Sequence, residues 1–110
     1  MGALSKSPEV IPGSEEVLPA DVVILAFGFL PEPPSWATAN GIEFAPNGKV
    51  VLGGGDRHPL QTTNPKVFAG GDMWRGADLV VRAVLDGREA AKQIKQMFAE
   101  QAATAEAEIA

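Results

Sequence analysis

A short apolar segment that ends in two glycines and an aspartate constrains this chain more than any other feature of its sequence. It reads Val67-Phe68-Ala69-Gly70-Gly71-Asp72, and a helix is predicted to begin a few residues later, at Leu79. Glycine lets a backbone take positive φ and approach a ligand closely, while the aspartate supplies two acceptor oxygens. A strand that stops at such a turn and leads to a helix N-terminus can therefore hold a polar ligand.

The local pattern leaves two interpretations of this turn open. In the first, Asp72 binds a pair of sugar or polyol hydroxyls. The first amides of the helix, which have no intrahelical acceptors, then face a phosphate or an electron-rich carbonyl. Such a combination suits the ribityl chain and ring of a flavin. In the second, Asp72 only caps the turn and the glycines only form it, since short glycine motifs occur in many unrelated proteins.

Composition excludes several kinds of site. The chain has 110 residues, a net charge of −5, no cysteine and one histidine. Disulfides, thiolate metal sites, cysteine nucleophiles and multi-histidine metal sites are therefore excluded. Nothing supports a nucleic-acid or membrane surface, because both need clustered positive charge. No apolar run approaches the ~20 residues of a transmembrane helix and no secretory signal is visible, so we expect a cytoplasmic protein.

The sequence upstream of the turn predicts β-strands. Val22–Phe27 is apolar without alternation and rich in β-branched residues, which is typical of a strand buried on both faces. Residues 42–44 and 49–52 flank Pro46-Asn47-Gly48 and predict a β-hairpin. Residues 66–69 predict a further short strand, so the pattern as a whole indicates an α/β fold.

A long amphipathic helix is predicted from about Leu79, with Asp78 as its N-cap. One face is apolar and is predicted to be buried, and the other is polar and is predicted to be exposed. The predicted buried positions are Val80, Ala83, Val84, Gly87, Ala91, Ile94 and Phe98, and the predicted exposed positions are Arg82, Asp86, Glu89, Gln93 and Gln96. From Gln101 the chain either prolongs this helix or frays. A single helical turn is predicted at 35–39.

Beyond the turn, the sequence resembles a family of flavoproteins. Thr62–Asp72 resembles the C-terminal FAD signature of proteins with two dinucleotide-binding domains, in which a Thr and a Pro precede Val-Phe-Ala-x-Gly-Asp. Ala20–Gly28 resembles the strand that ends in Ala-x-Gly where their chain leaves the pyridine-nucleotide domain. The finer resemblance, over roughly residues 12–98, is to the small (beta) chain of NADPH-dependent glutamate synthase. It extends through segments 26–29, 61–62, 68–72, 75–81 and 87–91.

This resemblance implies a fold and a set of cofactor contacts. The fold would be the C-terminal part of a Rossmann-like flavoprotein with short strands, one β-hairpin and a long C-terminal helix. The implied cofactor-binding residues are Gly28, Gly71, Asp72, Gly76, Leu79, Val80 and Val81. Asp72 would bind the ribityl hydroxyls of FAD, and Gly28 would lie beside the nicotinamide nucleotide. Gly76 would shape the loop to the helix, whose first three amides would face the pyrimidine end of the isoalloxazine ring. No catalytic side chain and no metal ligand is assigned.

The resemblance also implies an activity and its partners. In this family NADPH reduces FAD, and the electrons pass through iron–sulfur clusters to a large subunit that makes glutamate from 2-oxoglutarate and glutamine. FAD and NADPH would therefore be the cofactors, and the large subunit of glutamate synthase would be a partner. NADPH rather than NADH is implied by the resemblance alone.

Two parts of the family pattern are missing from this sequence. It has no Gly-x-Gly-x-x-Gly motif, of which the family has one for FAD and one for NADPH, and it has no cysteines for clusters. We therefore expect a partial FAD/NAD(P)-binding domain at 20–98. It would lie between a polar extended segment or weak hairpin at 1–19 and an Ala/Glu-rich tail at 99–110. The remainder of both domains would lie upstream, and the isolated chain would lack reductase activity and bind FAD weakly.

Two other functions are compatible with the sequence. One is a non-catalytic α/β interaction module, and the other is a split half that completes its site with a partner chain. The remaining side chains are interpreted in ordinary terms. His58 is expected to be a solvated loop histidine, and Arg75 and Arg82 are expected to be surface charges. Trp74 either packs over the helix start or covers a ligand or partner.

Overall fold

Three helices account for the regular secondary structure of residues 9–110, the part of the chain that the computed structural model describes. Helix α1 spans Ser35–Ala39, α2 spans Asp72–Arg75 and α3 spans Val80–Ile109. No β-strand forms within residues 9–110, where ladder contacts are limited to two isolated antiparallel bridges. These bridges pair Phe44 with Val50 and Gln61 with Phe68.

Helix α1 confirms the helical turn predicted at 35–39. It begins directly after Pro34, which occupies the N-cap position in an extended conformation. It ends at Asn40, whose N–H donates to the Ala37 carbonyl (3.1 Å), and the following Gly41 takes a φ of 72°. Ala37 is the residue that this helix contributes to the small apolar core.

The predicted hairpin at 42–52 is not confirmed, although its turn is present. The Gly48 N–H donates to the Ala45 carbonyl (2.9 Å) and closes the turn. Beyond it, the Ala45 N–H donates to the Lys49 carbonyl (2.8 Å) and the Val51 N–H to the Glu43 carbonyl (3.0 Å), but other amides of the two arms are used elsewhere. The Val50 N–H donates to the Met73 carbonyl (2.9 Å), and the Glu43 N–H donates to the Thr63 hydroxyl (2.9 Å). Both arms are therefore tied to the segment that carries the glycine–aspartate turn.

The predicted strand at Val22–Phe27 is wrong for the described structure. This run is extended and exposed, with Ile24 at 84% and Phe27 at 92% exposure. No backbone group of residues 15–33 hydrogen-bonds to another described residue. A strand of this composition needs neighbouring strands and covering helices, which residues 9–110 do not provide. The strand expected at 66–69 is likewise reduced to the bridge at Phe68.

The predicted N-terminal segment is described only in part. Residues 1–8 lie outside the described residues. Residues 9–19 are exposed and contain one turn, in which the Ser14 N–H donates to the Ile11 carbonyl (3.2 Å). This turn lies at the predicted Pro12-Gly13 position, but no hairpin pairing extends from it within the described part.

Helix α3 is the predicted long helix, and it continues through the Ala/Glu-rich tail. The face that it packs against the rest of the chain differs from the prediction. Asp86 was predicted to be exposed and is buried, whereas Val80 and Phe98 were predicted to be buried and are exposed. The packed positions include a stripe spaced by three and four residues, Ala83, Asp86, Ala90, Gln93 and Met97, and Ile94 beside it is partly buried as predicted. The apolar face remains uncovered because the described chain contains no sheet to cover it.

The core is small and lies between α1, the two bridges and α2. Its buried apolar residues are Ala37, Ile42, Val50 and Leu60. Thr62 is completely buried; its N–H donates to the Val67 carbonyl (2.9 Å) and its hydroxyl to the Asn64 carbonyl (3.0 Å). These bonds fix the loop that delivers residues 67–69 to the turn. In the described part of the chain, no helix is long and apolar enough to cross a membrane.

Candidate functional site

The glycine–aspartate turn, residues 70–72, needs both of its glycines. Gly71 has φ 67° and ψ −148°, a combination that is essentially restricted to glycine. Gly70 is required by close packing instead, since a Cβ on it would lie 2.6 Å from the Cβ of Asp86. The turn is thus pressed directly against helix α3.

Asp86 of α3 holds this turn through three converging donors. The Gly71 N–H donates to Asp86 Oδ2 (2.9 Å). Arg75 donates from Nε to Oδ2 (2.7 Å) and from Nη2 to Oδ1 (2.6 Å). The hydrogen bonds from Arg75, and then the one from Gly71, lower the pKa of Asp86 to about 2, although burial of the carboxylate opposes this shift. Asp86 is therefore ionised throughout the neutral range, and the same pairing raises the pKa of Arg75.

Arg75 is not a free surface charge, contrary to the prediction. Besides binding Asp86, its guanidinium lies 4.7 Å from the centroid of the Trp74 ring, within the range of a cation–π contact. Its carbonyl accepts a hydrogen bond from Lys49 Nζ (2.8 Å). Trp74 packs against the core cluster, which favours the packing interpretation of this side chain. Arg82, in contrast, forms only an exposed ion pair in the described structure, as predicted.

Asp72 lies at the first position of α2 and is exposed. Its carboxylate accepts no hydrogen bond from the described side chains or amides, so both oxygens are available to a ligand. Asp72 lines a groove of about 160 Å³ together with residues 29–32, Met73 and Ala77. The predicted site residue Gly28 has φ 83° and directly precedes the wall at 29–32, but it does not line the groove.

Gly76 ends α2 and redirects the chain toward α3. Its φ is 86°, which again favours glycine, and its N–H donates to the Asp72 carbonyl (2.8 Å). The predicted site residues Gly71, Asp72 and Gly76 are thus brought together around one short helix. The sequence did not predict α2, because four residues carry no usable periodicity.

Helix α3 begins at Val80, and its N-cap is Leu79 rather than the predicted Asp78. Asp78 instead accepts a hydrogen bond from the Leu79 N–H (2.8 Å) and pairs with Arg82 (3.2 Å). The N–H groups of Val80 and Val81 donate to no backbone carbonyl of the described residues. Two of the three predicted amide donors are therefore open, and that of Leu79 is already engaged.

His58 belongs to a second polar cluster and is not solvated, contrary to the prediction. Its side chain is 14% exposed, and its Nε2 lies 3.3 Å from Glu100 Oε2 of α3. Nearby, the Leu60 N–H donates to Gln93 Oε1 (2.8 Å). Sequence reasoning missed this pairing because His58 and Glu100 are far apart along the chain and no local pattern connects them.

Comparison with known proteins places the chain in a family. Residues 2–87 match the profile of the pyridine nucleotide-disulphide oxidoreductases. The chain belongs to this family, and membership implies a Rossmann-like FAD/NAD(P)-binding fold. Of that fold, the described residues contain the long C-terminal helix but not the strands.

Individual relatives within this family make the similarity more specific. The chain is 55% identical over 87 residues to the glutamate synthase (NADPH) small chain of Halomonas elongata, a match that covers 79% of this chain and 18% of that protein. It is 46% identical over 86 residues to the same-named protein of Escherichia coli, covering 78% and 18%. The resemblance found in the sequence is thereby confirmed, and the chain spans about a fifth of the length of these relatives. No solved structure matches the chain significantly.

Proposed function

We propose that this chain supplies the ribityl and isoalloxazine contacts of FAD in an oxidoreductase of the glutamate synthase small-chain type. The observation that carries this proposal is the unbonded Asp72 carboxylate at the first position of α2, followed eight residues later by the open amides of Val80 and Val81 at the start of α3. Family membership supports FAD and NADPH as the cofactors. The names of the relatives support a large-subunit partner and a role in glutamate synthesis. When bound, FAD supplies the capacity to accept a hydride and pass electrons on.

The donors and acceptors present fit the polyol and ring portion of FAD. Asp72 offers two acceptor oxygens to neighbouring hydroxyls. The amides of Val80 and Val81 offer donors to a ring carbonyl, and the helix dipole favours negative charge at the same place. Leu79 would contribute its exposed side chain rather than its amide, since Asp78 accepts from that amide. Gly71 and Gly76 would set the path of the backbone, and Gly28 would lead to the opposite wall.

The same residues form only part of a cofactor site. The sequence has no glycine fingerprint for a pyrophosphate, and two apolar surfaces stay uncovered among the described residues. One is Val22–Phe27, and the other is the face of α3 that includes Val80, Val84 and Phe98. We propose that 20–98 is a partial FAD/NAD(P)-binding domain and that the remainder of the fold, on sequence outside this chain, covers both surfaces.

The proposal is tested with two flavins that share the ribityl chain and ring. Titrations of the 110-residue chain with riboflavin and with FAD, followed by flavin fluorescence, should give weak and similar affinities, because the chain carries no pyrophosphate motif. Asp72→Asn should weaken both by about tenfold, as expected for loss of a charge-assisted hydrogen bond. Asp56→Asn, in the separate loop after Gly53-Gly54-Gly55, is the matched control and should change neither.

Two results would contradict the proposal. Sub-micromolar FAD binding that riboflavin does not share would mean that this chain holds the pyrophosphate after all. Flavin binding that is absent, or unaffected by Asp72→Asn, would remove Asp72 from the site and favour the non-catalytic interaction module.

A second candidate function is a split half that completes its site with a partner chain. The exposure of the apolar run Val22–Phe27 favours it, since such a run is costly to leave in water. Co-expression with a chain that carries the two glycine fingerprints should then yield a yellow complex with both chains. A colourless monomer after co-expression would count against this candidate.

A further inference from the structure

We infer that Asp86 and Arg75 are positioning residues that set the backbone of Gly71 and Asp72 before a ligand arrives, so that the Asp72 carboxylate faces its groove. We call this pair the Asp86–Arg75 clamp. The inference rests on the proposed function for the identity of the ligand, a flavin, but not for the geometry of the clamp.

The backbone conformation of Gly71 needs contacts that hold it in place. Gly71 is buried, and its backbone lies in a sparsely populated region at φ 67° and ψ −148°. Such a conformation persists only where surrounding contacts fix it. Its N–H would also be a buried donor without a partner if Asp86 did not accept from it (2.9 Å). A contact from a distant helix therefore fixes the residue that immediately precedes Asp72.

Arg75 anchors the C-terminal end of α2. A helix of four residues is not stable by itself, because nucleation is unfavourable. Here the N–H groups of Trp74 and Arg75 both donate to the Gly71 carbonyl (3.0 and 2.9 Å). The Arg75 side chain then returns to Asp86 through two hydrogen bonds. Gly71 and Arg75, which bracket Asp72, are thus joined to a single carboxylate, and this arrangement fixes the orientation of α2 relative to α3.

The hydrogen bonds at position 86 require a carboxylate. Oδ2 of Asp86 accepts from two donors and Oδ1 from a third. Asparagine has the same shape but would turn an NH₂ group toward at least one of these donors. Glutamate would need space that the close approach of Gly70 to the Asp86 Cβ does not leave. The site therefore requires an aspartate, and lysine at position 75 could not reproduce the two-bond fork of arginine.

Amide hydrogen exchange of the 110-residue chain, resolved by NMR, tests the clamp. Asp86→Asn should speed exchange of the Gly71 N–H by at least about tenfold more than it speeds exchange of the α3 amides from Ala91 to Met97. Arg75→Lys should give a smaller but equally local effect, and it serves as the test if Asp86→Asn does not fold. Glu89→Gln on the same helix is the control and should change neither set. A purely structural role would instead speed both sets by the same factor, and that result, or an unchanged Gly71 rate, would overturn the inference.

A riboflavin titration of the same variants separates the two proposals. Asp86→Asn should weaken binding by a factor close to that of Asp72→Asn, because both changes remove the correctly placed carboxylate. Undiminished binding in Asp86→Asn, with weakened binding in Asp72→Asn, would overturn the clamp and leave the proposed function intact. Selective exchange at Gly71 in a chain that binds no flavin would support the clamp and contradict the proposed function.

Discussion

The imidazole of His58 and the carboxylate of Glu100 connect the 53–60 loop to the distal half of α3, with Nε2 3.3 Å from Oε2. A double-mutant cycle with His58→Gln and Glu100→Gln should give a coupling free energy of about 0.5 kcal/mol, since Glu100 is largely exposed to solvent. Urea unfolding followed by helical circular dichroism measures this coupling. The exposed Lys92–Glu89 pair on the same helix is the control and should couple no more strongly. A coupling of zero for the first pair would show that the contact does not hold the loop to the helix.

Stability should fall in acid over the range in which Asp86 takes up a proton. The pKa of Asp86 is lowered from its ordinary value of 3.8 to about 2. Because the folded form binds this proton more weakly than the unfolded form, the carboxylate stabilises the fold fully above about pH 4. This contribution is lost as the pH falls from about 4 to about 2. Urea unfolding of the wild type and of Asp86→Asn at several pH values checks this expectation. The difference between the two should shrink across that range, and a constant difference would contradict the assignment.

Alanine at two glycine positions should have opposite effects. Gly71→Ala should destabilise the chain by about 1–3 kcal/mol, because its backbone conformation is unfavourable for any residue with a Cβ. Gly87→Ala should stabilise it by about 1 kcal/mol, since Gly87 lies inside α3 and a Cβ there would meet nothing within 4 Å. Thermal unfolding measures both changes. Equal tolerance of alanine at the two positions would show that the turn does not hold Gly71 at positive φ.

The exposed apolar run should make the isolated chain associate with itself. Val22–Phe27 has unpaired backbone groups and exposed side chains in the described structure, which is a template for strand pairing between copies. Ile24→Lys should shift the chain toward monomer in sedimentation velocity. Ile109→Lys, an equally exposed isoleucine at the end of α3, is the matched control and should not. A wild-type chain that is monomeric at high concentration would contradict this expectation.

Features that depend on neighbouring residues were predictable from the sequence, and those that depend on distant partners were not. Helix α1, the turn at Asn47-Gly48 and the presence of a long helix from about Leu79 follow from local propensity and periodicity, whereas the extension of α3 beyond Gln101 was left open. Val22–Phe27 was predicted wrongly because a strand forms only when other strands supply its hydrogen bonds. The open carboxylate of Asp72 agrees with the expected ligand turn, but its role in binding FAD stays a prediction.

Asp86 is the residue of the site whose position was predicted wrongly from the sequence. It was predicted to be exposed because it lies outside the apolar face of the helix that includes Val80 and Val84. The sequence nevertheless contains a signal of its burial. Ala83 and Ala90 lie one turn to either side of Asp86 on the same stripe, and a carboxylate between two small residues has room to meet a backbone. The pairing with Arg75 then depended on tertiary structure and could not be derived from either residue alone.

The contacts along α3 also fix the rotation of this helix about its own axis. Asp86 binds the turn, Gln93 binds the Leu60 amide and Glu100 binds His58. These three positions recur every seven residues, so they lie nearly above one another on the helix. Inserting one residue between Asp86 and Gln93 would rotate everything beyond it by about 100°, and the turn and the loop could then no longer be held at the same time. The seven-residue spacing between these contacts therefore tolerates substitutions at the surface positions in between but not insertions or deletions.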